Sequence, residues 1–175
     1  MKKIIISLLF ITCSLFASEL KDAKFIDSVS LGFGQNKLDH SVFKLGVQKE
    51  FTSNIYETES GYLSGFYDLS LIQWNYDESK IYGLSISPVF EYYFKTKIQG
   101  IVPFINFGIG ASFISKRSVD NKKFSTHFQF EDRIGMGVLT KKYKLSVNYF
   151  HYSNADIKKP NDGMDIILLN YVYKF

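Results

Sequence analysis

The strongest constraint on this chain is a two-residue rhythm, repeated many times without any long apolar run. Phe43, Leu45 and Val47 alternate with Lys44, Gly46 and Gln48. Leu84, Ile86, Phe90 and Tyr92 alternate in the same way with Gly83, Ser85, Ser87 and Glu91. Ile105, Phe107, Ile109 and Phe113 do so with Asn106, Gly108, Gly110 and Ser112. Successive side chains of a strand point to opposite faces, so each segment sets an oily face against a small or polar one. Strands are expected near 24–34, 42–52, 62–74, 81–94, 101–114, 124–139, 143–153 and 164–175. After residue 18 no segment supplies the roughly 20 consecutive apolar residues of a spanning helix.

The first eighteen residues follow different rules. Lys2 and Lys3 form a basic start, Ile4 to Phe16 a mostly apolar run, and Ala17-Ser18 a small-residue exit. Those are the parts of a secretory signal peptide, so residues 1–18 are expected to be removed and 19–175 to form one domain. Phe10, Ile11 and Thr12 before Cys13 are poorly suited to lipid attachment. Export would remove the one cysteine, and with it any disulfide or thiolate chemistry. It would also remove two of the 21 basic residues, leaving 19 against 17 acidic ones. A net charge near +2 on an exported chain argues against a nucleic-acid partner. All 12 tyrosines and 15 of the 17 phenylalanines would remain, an aromatic load that a bilayer could accommodate.

A soluble sandwich would turn the oily faces inward. Here the opposite faces are crowded with glycine, serine and charge, which suits the narrow interior of a small membrane barrel. Open sheet edges in hydrocarbon leave backbone groups unpaired, so such strands must close on themselves. The expected fold is therefore all-β, an eight-stranded antiparallel transmembrane β-barrel in the outer membrane. The ending YVYKF puts Tyr171, Tyr173 and Phe175 on one face and resembles the terminal signature of outer-membrane barrels. That resemblance implies insertion by the barrel-assembly machinery. With both termini periplasmic, Lys141–Lys142 forms a periplasmic turn and 154–163 an extracellular loop. The 53–61 segment is long for a periplasmic turn, so the flanking strands are expected to extend into it. Asp132 shares parity with Phe130, Ile134 and Met136, which requires either a rim position or a bulge. His127, Glu131 and Arg133 share the other face and read as an interior polar network.

The last hairpin carries the chemistry. Leu145, Val147, Tyr149, His151 and Ser153 share one face, and Leu145 and Val147 turn it toward lipid. Asp165 shares the apolar face of the final strand with Ile167 and Leu169. Antiparallel pairing can bring His151, Ser153 and Asp165 together near the outer rim, subject to register. These are the parts of a Ser-His-acid hydrolase, in which a base activates the hydroxyl and an acid orients the base. A hydrogen-bonded headgroup contact would account for the same three residues, since His-x-Ser alone carries little information.

The segment HYSNADIKKPNDG, from His151 to Gly163, resembles the bacterial outer-membrane lipid A 3-O-deacylase family, often labelled acyloxyacyl hydrolase-like. The resemblance implies an eight-stranded barrel with its site on the outer surface. It implies His151 as base, Ser153 as nucleophile, Asp165 in a position commonly held by glutamate, and Asn161 in the oxyanion hole. The 160–163 turn could independently aim backbone N–H groups at an oxyanion. Asn154 orients the loop, caps the top of strand seven or contacts substrate; Lys158, Lys159 and Gly163 are candidate substrate contacts, the lysines because lipid A is anionic. The expected partners are lipid A or lipopolysaccharide and outer-membrane lipids, with no metal and no cofactor. An outer-membrane acyltransferase and a non-enzymatic structural or adhesin-like barrel remain as alternatives. The acyltransferase would show an interior acyl pocket joined to Ser153. The structural barrel would be indifferent to loss of the Ser153 hydroxyl.

Overall fold

The computed structural model describes residues 25–38, 40–77, 79–96 and 99–175, so the expected signal peptide lies outside the described residues. Eight long strands run up and down: β1 (Ser28–Asn36), β2 (Ser41–Glu50), β3 (Gly61–Asn75), β4 (Lys80–Phe94), β5 (Val102–Ile114), β6 (Phe128–Leu139), β7 (Tyr143–Ser153) and β8 (Met164–Lys174). Each pairs antiparallel with its sequence neighbours, and β1 pairs with β8 from Ser28↔Lys174 to Asn36↔Ile166. The sheet is thereby closed, and every strand has a partner on both sides. In hydrocarbon that closure is required, because each unpaired backbone group would cost several kcal/mol.

Register separates the two faces along every strand. Phe43, Leu45, Leu71, Leu84, Ile109, Ile134 and Met136 project outward and are exposed. Lys44, Gln48, Asp68, Ser85, Glu91, Asn106 and Ser146 project into the lumen and are buried. Small interior residues are needed where strands crowd: a Cβ on Gly110 would lie 1.9 Å from Ser87 Oγ. The observed strand limits differ from the expected ones mainly at the connections. Beyond Glu50 the 53–61 segment folds back on β3, where Tyr56–Glu57 pairs with Leu63 and Tyr62. β2 ends at Glu50 and β3 begins at Gly61, so the segment forms its own short pairing rather than extending either flanking strand. β6 begins at Phe128, four residues later than expected; the preceding loop has its own two-residue ladder, Ser118–Val119 on Lys122–Lys123.

The lumen has two zones, and the alternation pattern anticipated only one. Midway along its axis, directly beneath the loop end, it is polar and ion-paired. Glu131, fully buried, accepts from Arg133 at 2.7 Å, Tyr152 OH at 2.7 Å, Ser87 Oγ at 2.8 Å and Lys44 Nζ at 3.2 Å. Asp68 completes the set, accepting from Arg133 at 2.6 Å and from Lys44 at 3.1 Å. Two cations thus face two carboxylates, which offsets the several kcal/mol of desolvation that each buried ion carries. Toward the end that carries the 115–127 and 154–163 loops, the lumen is plugged by Trp74, Ile81, Ile114, Phe150, Tyr152 and Ile166. His127 leaves the expected interior network. It precedes β6, bonds Ile114 O through Nδ1 at 2.7 Å, and stacks on the outward ring of Phe113.

Asp132 is resolved by register. β6 pairs without interruption with β5, from Val102↔Leu139 to Phe113↔Phe128, and with β7, from Lys144↔Leu139 to Ser153↔Phe130. There is no bulge in β6. Asp132 stands on the outer face near the loop end, directly across from His151.

Candidate active site

Parity along β7 decides which residues reach the outer surface. Phe150, Tyr152 and Asn148 are buried in the lumen, so Tyr149, His151 and Ser153 face outward. The β7–β8 register places His151 directly opposite Asp165. Directly opposed residues have Cα atoms about 4.5–5.5 Å apart, close enough for a short side chain to meet an imidazole. His151 Nδ1 lies 2.7 Å from Asp165 Oδ1. The aspartate therefore reaches the histidine without the extra methylene of a glutamate, because the register presents it with no lateral offset.

Asp165 is held from two further directions. Tyr149, one pleat below His151, reaches diagonally across the hairpin and donates its hydroxyl proton to Asp165 Oδ1 at 2.5 Å. Lys37, in the turn between β1 and β2, puts Nζ 2.6 Å from Asp165 Oδ2. Neither contact to Asp165 was anticipated from the sequence. Tyr149 could have been, since it shares parity with His151; Lys37 could not, since it comes from the far end of the chain.

Ser153 lies two residues beyond His151 on the same face, which sets the two Cα atoms roughly 6.5 Å apart. Among the described residues no hydrogen bond joins the Ser153 hydroxyl to His151. Catalytic contacts of this type commonly close only around substrate. The structure thus brings His151 and Asp165 into contact and aligns Ser153 beside them.

The loop from 154 to 163 folds over this face and is tied to the 115–127 loop. Asn154 is fully buried, and its Nδ2 donates to Phe124 O and Lys158 O, both at 2.8 Å. It cannot touch a lipid from there. As a substrate contact Asn154 is therefore corrected to the first of the three readings, a residue that organises the loop. Asn161 Oδ1 accepts from Asn154 N at 3.2 Å, while its Nδ2 lies 3.4 Å from Asp156 Oδ1. Lys123 N donates to Asp162 Oδ2 at 2.6 Å, Ser125 Oγ to Pro160 O at 2.7 Å, and Lys122 Nζ to Gly163 O at 3.1 Å. Lys158 and Lys159 are exposed, and Lys159 pairs with Asp156 at 3.3 Å.

Gly163 closes the loop against the imidazole. Its φ is +61°, in the left-handed region that glycine adopts at least cost. A Cβ there would sit 3.1 Å from His151 Cε1 and 3.2 Å from Tyr152 O. The bare backbone passes the ring edge where a side chain would press on it. Below the site, an apolar groove of about 640 Å³ runs down the outer wall between Phe107, Ile134, Met136, Val147, Tyr149 and Ile167.

The family model for lipid A 3-O-deacylase (PagL) matches residues 41–174. The chain belongs to the lipid A 3-O-deacylase family. It is 32% identical over 146 residues to the lipid A deacylase PagL of Pseudomonas aeruginosa, covering 82% of this chain and 83% of that one. It is 45% identical over 73 residues to the lipid A deacylase PagL of Bordetella bronchiseptica, covering 41% of each. A crystal structure of the outer membrane enzyme PagL superposes with a TM-score of 0.80 at 31% identity, covering 85% of this chain and 99% of that one. Membership makes this barrel an outer-membrane enzyme, which removes the structural or adhesin-like alternative.

Proposed function

We propose that this lipid A deacylase removes the 3-O-linked hydroxyacyl chain of lipid A through Ser153, His151 and Asp165 on the outer surface of the barrel. One observation carries the reading: a 2.7 Å histidine–carboxylate contact on the lipid-facing wall, with a serine aligned beside it. Such a contact in the lumen would serve packing; facing the bilayer, it meets an ester that never has to leave the membrane. His151 keeps its Nδ1 proton in the hydrogen bond to Asp165 and takes the Ser153 proton on Nε2 as Oγ attacks the ester carbonyl. The Asn161–Gly163 segment supplies donors to the oxyanion. His151 then protonates the departing sugar oxygen, and water enters to hydrolyse the acyl-enzyme. The apolar groove beneath Tyr149 takes the acyl chain, and Lys158 and Lys159 face the anionic headgroup. The terminal Phe175 suits delivery of the barrel to its assembly machinery.

Mass analysis of lipid A after expression in an outer membrane tests this. Wild type is expected to release one ester-linked hydroxy fatty acid, and Ser153→Ala and His151→Ala none, with barrel formation confirmed by heat-modifiable gel migration. Release by a folded Ser153→Ala barrel would remove Ser153 as nucleophile. Transfer of the chain to a second alcohol would make the protein an acyltransferase.

A further inference from the structure

The carboxylate beside His151 carries one partner that the proposed reaction does not use. Oδ1 of Asp165 takes the bonds from His151 and Tyr149, and Oδ2 is occupied by Lys37 Nζ at 2.6 Å. The Lys37 side chain is 73% exposed and that of Asp165 only 20%. The ammonium is therefore the half of the pair that can turn to another anion. Its turn is fixed, since Asn36 Oδ1 accepts from the backbone N–H groups of Leu38 and His40 at 2.8 and 3.0 Å. Lys37 also walls a second hollow of about 220 Å³ with Gln35 and Asp165, which adjoins the apolar groove at Tyr149 and Ile167.

A carboxylate orients and stabilises an imidazolium through its negative charge. With an ammonium on the other oxygen, much of that charge is cancelled at the imidazole. A phosphate monoester carries about −1.5 to −2 charges at neutral pH and three strong acceptor oxygens, so it outbids a carboxylate for a lysine. We propose that Lys37 is an anion-operated latch on Asp165: a phosphate of the bound glycolipid, entering the hollow beside Tyr149, takes over the ammonium and returns the carboxylate's charge to His151. This rests on the catalytic reading given above. The free enzyme is held in a weakened state, and the headgroup of a correct substrate strengthens its base.

The test uses the folded barrel in detergent micelles with two lipids, a 3-O-acylated glucosamine lipid bearing a phosphate and the same lipid without it. Wild type should show a kcat on the order of tenfold higher on the phosphorylated lipid, the scale of ordinary coupling between sites. Lys37→Met should raise the rate on the phosphate-free lipid and bring the ratio close to one, while Lys37→Arg keeps the preference. Equal wild-type kcat on both lipids would overturn the latch without recourse to any variant. So would a Lys37→Met enzyme slowed equally on both, which would make Lys37 a fixed support. Ser153→Ala separates the two levels: hydrolysis surviving it refutes the catalytic reading, whereas hydrolysis abolished by it with an unaltered Lys37→Met ratio refutes only the latch.

Discussion

Replacing Gly163 by alanine tests the loop and the imidazole together. Two costs are legible. The backbone sits at φ +61°, where an L-residue pays about 1–2 kcal/mol. The added Cβ would stand 3.1 Å from His151 Cε1 and 3.2 Å from a backbone carbonyl, so a neighbour must yield by a few tenths of an ångström. The imidazole has little room, because the adjacent Nδ1 is held by the 2.7 Å bond to Asp165. A misplacement of about 1 Å can cost 10²-fold in rate, so a third of that is expected to lower kcat by roughly fivefold. KM should change little, since the apolar groove lies elsewhere. The barrel should keep its folded gel migration to the same temperature, because the strain falls in a loop. Gly100→Ala supplies the control: its φ is +81°, with nothing within 4 Å of the new Cβ. It carries the backbone cost alone and should leave kcat unchanged. The assay is fatty-acid release in micelles by mass spectrometry. Unaltered kcat in Gly163→Ala, or an equal loss in Gly100→Ala, would refute the steric argument.

Three further outcomes are expected. Asn154→Ala removes a buried donor from two carbonyls, a loss of about 1–3 kcal/mol confined to the loop; proteolysis within 154–163 should speed up while the barrel's melting temperature holds. Glu131→Gln strips the charge from a site facing four donors and should destabilise the barrel by about 3–5 kcal/mol, read as a lower urea midpoint. Asp165→Glu should keep activity within about tenfold, whereas Asp165→Asn should lose about 10⁴-fold through the wrong histidine tautomer; equal losses in the two would show that the charge of residue 165 is not what His151 needs.

The fold was legible because strand period and face are both local properties. Leu145 and Val147 orient β7, and the same parity carries His151 and Ser153 outward and puts Phe150 and Tyr152 inside. Asp132 looked anomalous by that parity, and the parity was right: the residue is outward at the rim. What alternation cannot convey is how the lumen changes along its axis, so the apolar plug around Trp74 and Ile166 went unread beside the glycines and serines. Loop contacts were hidden for a related reason. Asn154 is buried only because Phe124, thirty residues earlier, offers it a carbonyl. Lys37 meets Asp165 only because the first and last strands adjoin in the closed sheet. Both depend on three-dimensional closure, which no short window of sequence contains.

The doubly filled lumen makes this protein a solid post rather than a pipe. No solute can thread it, and the chemistry has been moved to the bark. The strand that carries His151 and Ser153 is the one whose inner side chains, Phe150 and Tyr152, sit fully buried against Trp74, Arg133 and Glu131. The reactive wall is thus stiffened from behind, and a lipid pressing against it meets a surface that does not give.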